Sequence, residues 1–140
     1  MKTMTQPAGQ GCRGKEILVV DDDAAVGAMA RAVLEAAGYS TLSASSGEEA
    51  VELYSQVHQS GREIELVVLD ITLPGGMSGI ETLDRLREVN PEVKVIASSG
   101  YFDDSAATAA KKRGFVGILP KPYTAERMTR LVQWSLNQAA

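Results

Sequence analysis

The chain is poor in the residues that carry redox, disulfide and metal-thiolate chemistry. Its one cysteine, Cys12, cannot form an internal disulfide and lies in a glycine-rich lead segment outside any metal-ligand pattern, which fits a reducing cytoplasm. The only histidine, His58, stands beside Gln59, Ser60 and Gly61 and reads as a solvated helix end, not as a phosphodonor. Aromatic residues make up 5%, and the single tryptophan, Trp134, reads as packing or partner surface. No apolar run approaches the roughly 20 residues of a membrane span, and "MKTMTQPAGQGCRGK" lacks the apolar stretch of a secretory signal. A positive excess is also missing: the formal net charge is -4, and Lys111-Lys112-Arg113 is too short to serve as a phosphate-neutralising surface, which argues against nucleic acid as a partner. That triplet instead suits the last turn of a helix stopped by Gly114. Gly9, Gly11 and Gly14 have neither the preceding strand nor the GK[ST] ending of a phosphate-binding loop.

What the chain does have is an ordinary globular composition, 44% hydrophobic and 23% charged over 140 residues, enough for one domain with a real core. Residues 1–14 read as a flexible leader and 15–138 as the domain. "KEILVV" (15–20), "IELVVL" (64–69) and "VKVIAS" (93–98) are short, nearly continuous apolar runs, the pattern of strands buried on both faces; "YSTLSA" (39–44) and "FVGILP" (115–120) are weaker versions. Helical spacing lies between them. Val26, Met29, Ala30, Val33 and Ala37 form one stripe, closed by Gly38. Ser46 and Glu49 have capping-box spacing ahead of Ala50, Leu53, Tyr54 and Val57. Ile80, Leu83 and Leu86 precede the Asn90-Pro91 stop. Segment 103–113 is alanine-rich and only weakly amphipathic, and 124–138 places Met128, Leu131, Val132 and Ser135 inward. Five strands alternating with five helices predict an α/β fold, a parallel sheet with helices on both faces and right-handed crossovers. In such a sheet the site lies beyond the carboxyl ends of the strands.

Polar groups collect at those ends. The first strand runs into Asp21-Asp22-Asp23, the third into Asp70, the fourth into Ser98-Ser99-Gly100 and the fifth into Lys121-Pro122. Asp22 or Asp23 also suits the cap of the first helix. Asp21, Asp22 and Asp70 repel one another unless a cation or Lys121 offsets them. Carboxylate oxygens favour a hard ion such as Mg²⁺, and a carboxylate beside such an ion can act as a nucleophile toward a phosphoryl group. A rigid strand aims Asp70, and the pliable "LPGGMSG" after it lets backbone approach metal and phosphate.

"ILVVDDD", "VVLDITLPGGMSGIE", "VIASSGY" and "GILPKPY", in this order and spacing, resemble the receiver domain of two-component response regulators over about residues 15–137. The resemblance implies the CheY-like, flavodoxin-like (βα)5 fold, with parallel strand order 2-1-3-4-5. It implies that Asp70 takes a phosphoryl group from the phosphohistidine of a sensor histidine kinase or a histidine phosphotransfer domain. It further implies Mg²⁺ held directly by Asp22, through water by Asp21, and by Asp70 and the backbone carbonyl of Thr72. Ser99 corresponds to the switch Ser/Thr, Lys121 pairs with a phosphate oxygen, and the Lys121-Pro122 bond is expected to be cis. The module would not be an enzyme beyond its own phosphorylation and dephosphorylation, and its downstream partner is unknown; a weak homodimer is a further expected state.

Two departures stand out. The "LPGGMSG" loop is one residue longer than usual and resembles receivers attached to hybrid sensor kinases, so the chain reads as a stand-alone receiver or as part of a longer one. The strand-five position that usually carries the switching aromatic is Ile118, with Tyr101 as a nearby substitute. A haloacid dehalogenase-like phosphatase needs a second Asp where Thr72 stands. The other alternative is a receiver that is never phosphorylated and serves only for docking.

Overall fold

β-branched and leucine-rich runs extend most readily where both faces are covered, and the strands follow them. The computed structural model describes residues 15–73, 75–100 and 103–138; the expected leader with Cys12, and Tyr101, lie outside the described residues. The elements run β1 (Glu16–Val20), α1 (Ala24–Ala36), β2 (Ser40–Ala44), α2 (Gly47–Gln59), β3 (Ile64–Asp70), α3 (Gly79–Val89), β4 (Val95–Ser99), α4 (Asp104–Lys112), β5 (Gly117–Pro120) and α5 (Ala125–Leu136). All pairings are parallel, in the order β2-β1-β3-β4-β5, the 2-1-3-4-5 arrangement expected.

Alternation along the strands divides the core in two. Ile17, Val19, Leu66, Val68, Ile96 and Leu119 pack with Ala30 and Leu34 of α1 and Met128 and Val132 of α5. Leu18, Val20, Val67, Leu69, Val95 and Ala97 pack with Tyr54, Leu83 and Leu86 of α2 and α3. No helix among the described residues is long and apolar enough to cross a membrane.

Helix ends follow local chemistry, with two differences from the expected pattern. Asp23 caps α1, accepting from the Ala25 and Val26 amides. Ser46 caps α2, but Glu49 accepts from the Ser45 amide and hydroxyl, so the reciprocal half of the expected box is displaced by one residue. A complete box forms instead at Ser78 and Glu81 on α3. The buried stripe of α1 is Gly27, Ala30 and Leu34, whereas Met29 is 45% exposed. Small residues carry little hydrophobic signal, and that shifted the predicted phase of the helix. α4 buries only Ala110 and stops at Gly114, whose φ is +96°. Lys94 Nζ donates to the Leu136 carbonyl at 3.2 Å and to that of Gln138, tying the end of α5 to the start of β4.

Gly27 offers a direct test of the packing. A Cβ built on it meets nothing within 4 Å, and it borders a hollow of about 350 Å³ lined also by Asp21, Arg31, Ser45 and Glu49. Glycine inside a helix costs about 1 kcal/mol relative to alanine. Gly27→Ala is therefore expected to stabilise the fold by about 1 kcal/mol, read as a raised urea midpoint at unchanged slope. A lowered midpoint would mean that α1 moves against β1 more closely than its backbone shows.

Candidate functional site

β1 and β3 pair through Val20 and Leu69, and β3 and β4 through Asp70 and Ser98. This register sets Asp21 and Asp70 side by side at the carboxyl edge of the sheet. Asp70 is 3% exposed. Its Oδ1 accepts from the Thr72 amide at 2.9 Å and the Thr72 hydroxyl at 2.7 Å, and its Oδ2 from Lys121 Nζ at 3.1 Å. Asp21 Oδ2 takes the same ammonium at 2.8 Å, while its Oδ1 accepts from the Asp23 amide. Asp22 is exposed, and its carboxylate has no hydrogen bond or ion pair among the described residues.

Oxygens of Asp21, Asp22 and Asp70 come within 4.8 Å of one another. Three carboxylates face one lysine, so the donor set is all hard oxygen with a charge excess that a divalent cation would offset. These residues fit Mg²⁺, which takes oxygen ligands and retains waters.

Burial acts to lower the Lys121 pKa, but hydrogen bonds to Asp21 and Asp70, and their charges, outweigh it and hold the ammonium above 10.5. Tyr123, close by, is pushed above 10.0 by burial and then by the charge of Asp21. Tyr54, beneath α3, is pushed up by burial against a lowering hydrogen bond from Asn90, with Glu63 and Glu65 adding to the rise. In all three groups the folded state holds its proton more tightly than the unfolded chain. Their contribution to stability is complete below about pH 10 and is lost as pH rises through the raised values. A pH titration of the urea midpoint is expected to fall on the alkaline side above about pH 10, with Tyr54→Phe and Tyr123→Phe each reducing that fall. An unchanged fall in both variants would exclude the tyrosines as its source.

The loop after β3 is held by contacts that sequence reasoning did not reach. Glu48 of α2 accepts from the Met77 amide at 3.0 Å, and Gly76, at φ +37°, lies where a Cβ would come 2.6 Å from Glu48 Oε2. Gly79 brings the start of α3 against Ile71, whose Cα would lie 2.4 Å from an added Cβ. The Thr72 hydroxyl is the other addition. Its D-x-T spacing is the available sequence signal, because a threonine two residues after a carboxylate can close a local turn.

The remaining expected positions are distributed as follows. Thr72 is exposed just beyond β3. Ser99 is 1% exposed at the end of β4, in register with Pro120; alternation starts it on the sheet face opposite Asp70. Ile118 on β5 is half-buried against the α2/α3 core and also lines a groove with Tyr123, Arg127 and Leu131. The Lys121-Pro122 bond is cis. His58 is exposed near the end of α2, its ring stacked on Tyr54 with centroids 6.3 Å apart, and Trp134 is 53% exposed.

Residues 17–133 match the family described as response regulator receiver domain. The sensor kinase CckA of Brucella abortus is 33% identical over 122 residues, which cover 87% of this chain but 12% of the kinase. The chemotaxis protein CheY of Thermotoga maritima is 31% identical over 116 residues, 82% of this chain and 92% of that protein. The crystal structure of the receiver domain of NtrX from Brucella abortus superposes with a TM-score of 0.78 at 29% identity, covering 88% of this chain and 99% of that one. The chain thus spans nearly the whole of one relative and about an eighth of another.

Proposed function

The chain belongs to the response regulator receiver domain family, the phosphoacceptor modules of two-component signalling, and from this premise we propose that Asp70 is its phosphoacceptor. The observation that carries the reading is one buried carboxylate at the end of a rigid strand, fixed through Oδ1 by Thr72 and through Oδ2 by Lys121, with Asp21 and Asp22 within 4.8 Å. An Asp70 oxygen forms the new P–O bond as the P–N bond to a donor phosphohistidine breaks, and the electron pair leaves with the imidazole. Asp22, Asp70 and the Thr72 carbonyl, with Asp21 through water, would hold Mg²⁺, which would supply charge neutralisation at the phosphoryl oxygens. Lys121 adds a second positive charge at the same oxygens, and Thr72 keeps the carboxylate from rotating away.

The donor is a sensor histidine kinase or a histidine phosphotransfer domain, in the cytoplasm. Residues 15–138 form the receiver unit, and 1–14 its leader. Its only chemistry is its own phosphorylation and dephosphorylation. Ser99 moves over the end of β4 toward the new charge, and Ile118 on β5 repacks beside it in place of a rotating aromatic, presenting a changed surface to a downstream partner or a second copy.

The test is intact mass after incubation of the whole chain with acetyl phosphate and Mg²⁺. A single phosphoryl adduct that disappears with EDTA is expected. No adduct, with Mg²⁺ binding established separately, would overturn the reading in favour of a docking domain.

A further inference from the structure

We infer that Ser98 is a positioning residue for Lys121, its hydroxyl receiving the ammonium when a divalent cation engages Asp21 and Asp70. The inference rests on the reading of the acidic cluster as a metal site.

The sheet order puts β4 between β3 and β5. Ser98 is in register with Asp70 on one side and Leu119 on the other. Val68 of β3, Ile96 of β4 and Leu119 of β5 share one core, so alternation by two sets Asp70 and Ser98 on that same face. Lys121 is rooted two residues past Leu119, yet its Nζ pairs with Asp70 and Asp21. Adjacent strands lie about 4.8 Å apart, so the lysine side chain passes over the end of β4 to reach them, on the face that carries Ser98.

Ser98 is 3% exposed, and its Oγ has no hydrogen-bond partner among the described residues. A buried hydroxyl without a partner is unfavourable, and alanine or valine would fill a strand position facing this core without that cost. Lys121 has three N–H donors, and the two carboxylates account for two. A cation on the cluster would draw on the same carboxylates and repel the ammonium. The lysine would then need an oxygen outside the cation's ligand set, and the unpartnered Ser98 hydroxyl lies on its face of the sheet. Ser99, on the opposite face, does not.

Threonine keeps the hydroxyl, and valine keeps threonine's shape without it. On the full chain, Mg²⁺ titration calorimetry is expected to give Ser98→Thr a dissociation constant within about twofold of the unsubstituted protein and Ser98→Val one about fivefold weaker, the effect of one net hydrogen bond. In a Lys121→Met background the Thr–Val difference is expected to vanish. Where the extra methyl disturbs folding, seen by circular dichroism, Ser98→Ala against the unsubstituted protein gives the same comparison. Equal affinities for the hydroxyl-bearing and hydroxyl-free proteins would overturn the role of Ser98 alone, and so would a difference that survives Lys121→Met. Absence of Mg²⁺ binding in the unsubstituted protein would overturn the metal reading, and this inference with it.

Discussion

Asp70→Asn is expected to take up no phosphoryl group under conditions that load the unsubstituted chain, a fall of at least about a thousandfold in rate, because a neutral amide is no substitute for a carboxylate nucleophile. The substitution isolates chemistry from folding. Asparagine keeps the volume of a site that is 3% exposed and retains an oxygen that can accept from Thr72. Lys121 keeps Asp21 at 2.8 Å. One charged hydrogen bond is lost and one buried charge is removed, so the net change in stability is expected to stay within about 1 kcal/mol. Intact mass and a urea midpoint on the same sample separate the two effects. An adduct on the asparagine variant would place the acceptor elsewhere, with exposed Asp22 the first position to examine.

Lys121→Met is expected to destabilise the metal-free protein by about 2–3 kcal/mol. Its side chain is 20% exposed, while those of its partners Asp21 and Asp70 are 6% and 4% exposed. Removing the ammonium leaves two nearly buried carboxylates side by side with no counter-charge, which is more costly than the pair itself is favourable. Exposed Asp22 keeps one side of the cluster open to water, which holds the loss below that of a fully enclosed pair. A divalent cation that binds only the folded state restores stability by mass action. The deficit is therefore expected to shrink in Mg²⁺ and to reappear with EDTA in urea melts. An equal deficit under both conditions would show that Lys121 and the cation do not answer the same charge.

The family motifs place their residues on one sheet edge because a parallel sheet with regular crossovers brings every strand's carboxyl end to the same side. Four short runs, ending in Asp21, Asp70, Ser99 and Lys121, were enough to read that convergence from the chain. "IELVVLD" was legible as a strand because both its faces are apolar, and α3 because Leu83, Leu86 and the Asn90-Pro91 stop leave one solution. Where side chains are small the pattern failed: α1 buries Gly27 and exposes Met29, since a glycine carries no hydrophobic signal to mark its face.

Other features depend on distances between segments that no local pattern encodes. Glu48 reaches the Met77 amide across 29 residues, and Lys121 reaches Asp70 across 51. The division of labour within Asp21-Asp22-Asp23 belongs to the same class: one carboxylate on the lysine, one open, one capping a helix. Adjacent Ser98 and Ser99 are chemically identical in the sequence. Strand register alone puts the first on the face of Asp70 and the second on the other. Composition and order thus specified the fold, the acidic edge and the family, because these follow from periodicity and topology. Which oxygen meets which proton was settled by register and packing, because a shift of one residue along a strand reverses the face of every side chain on it.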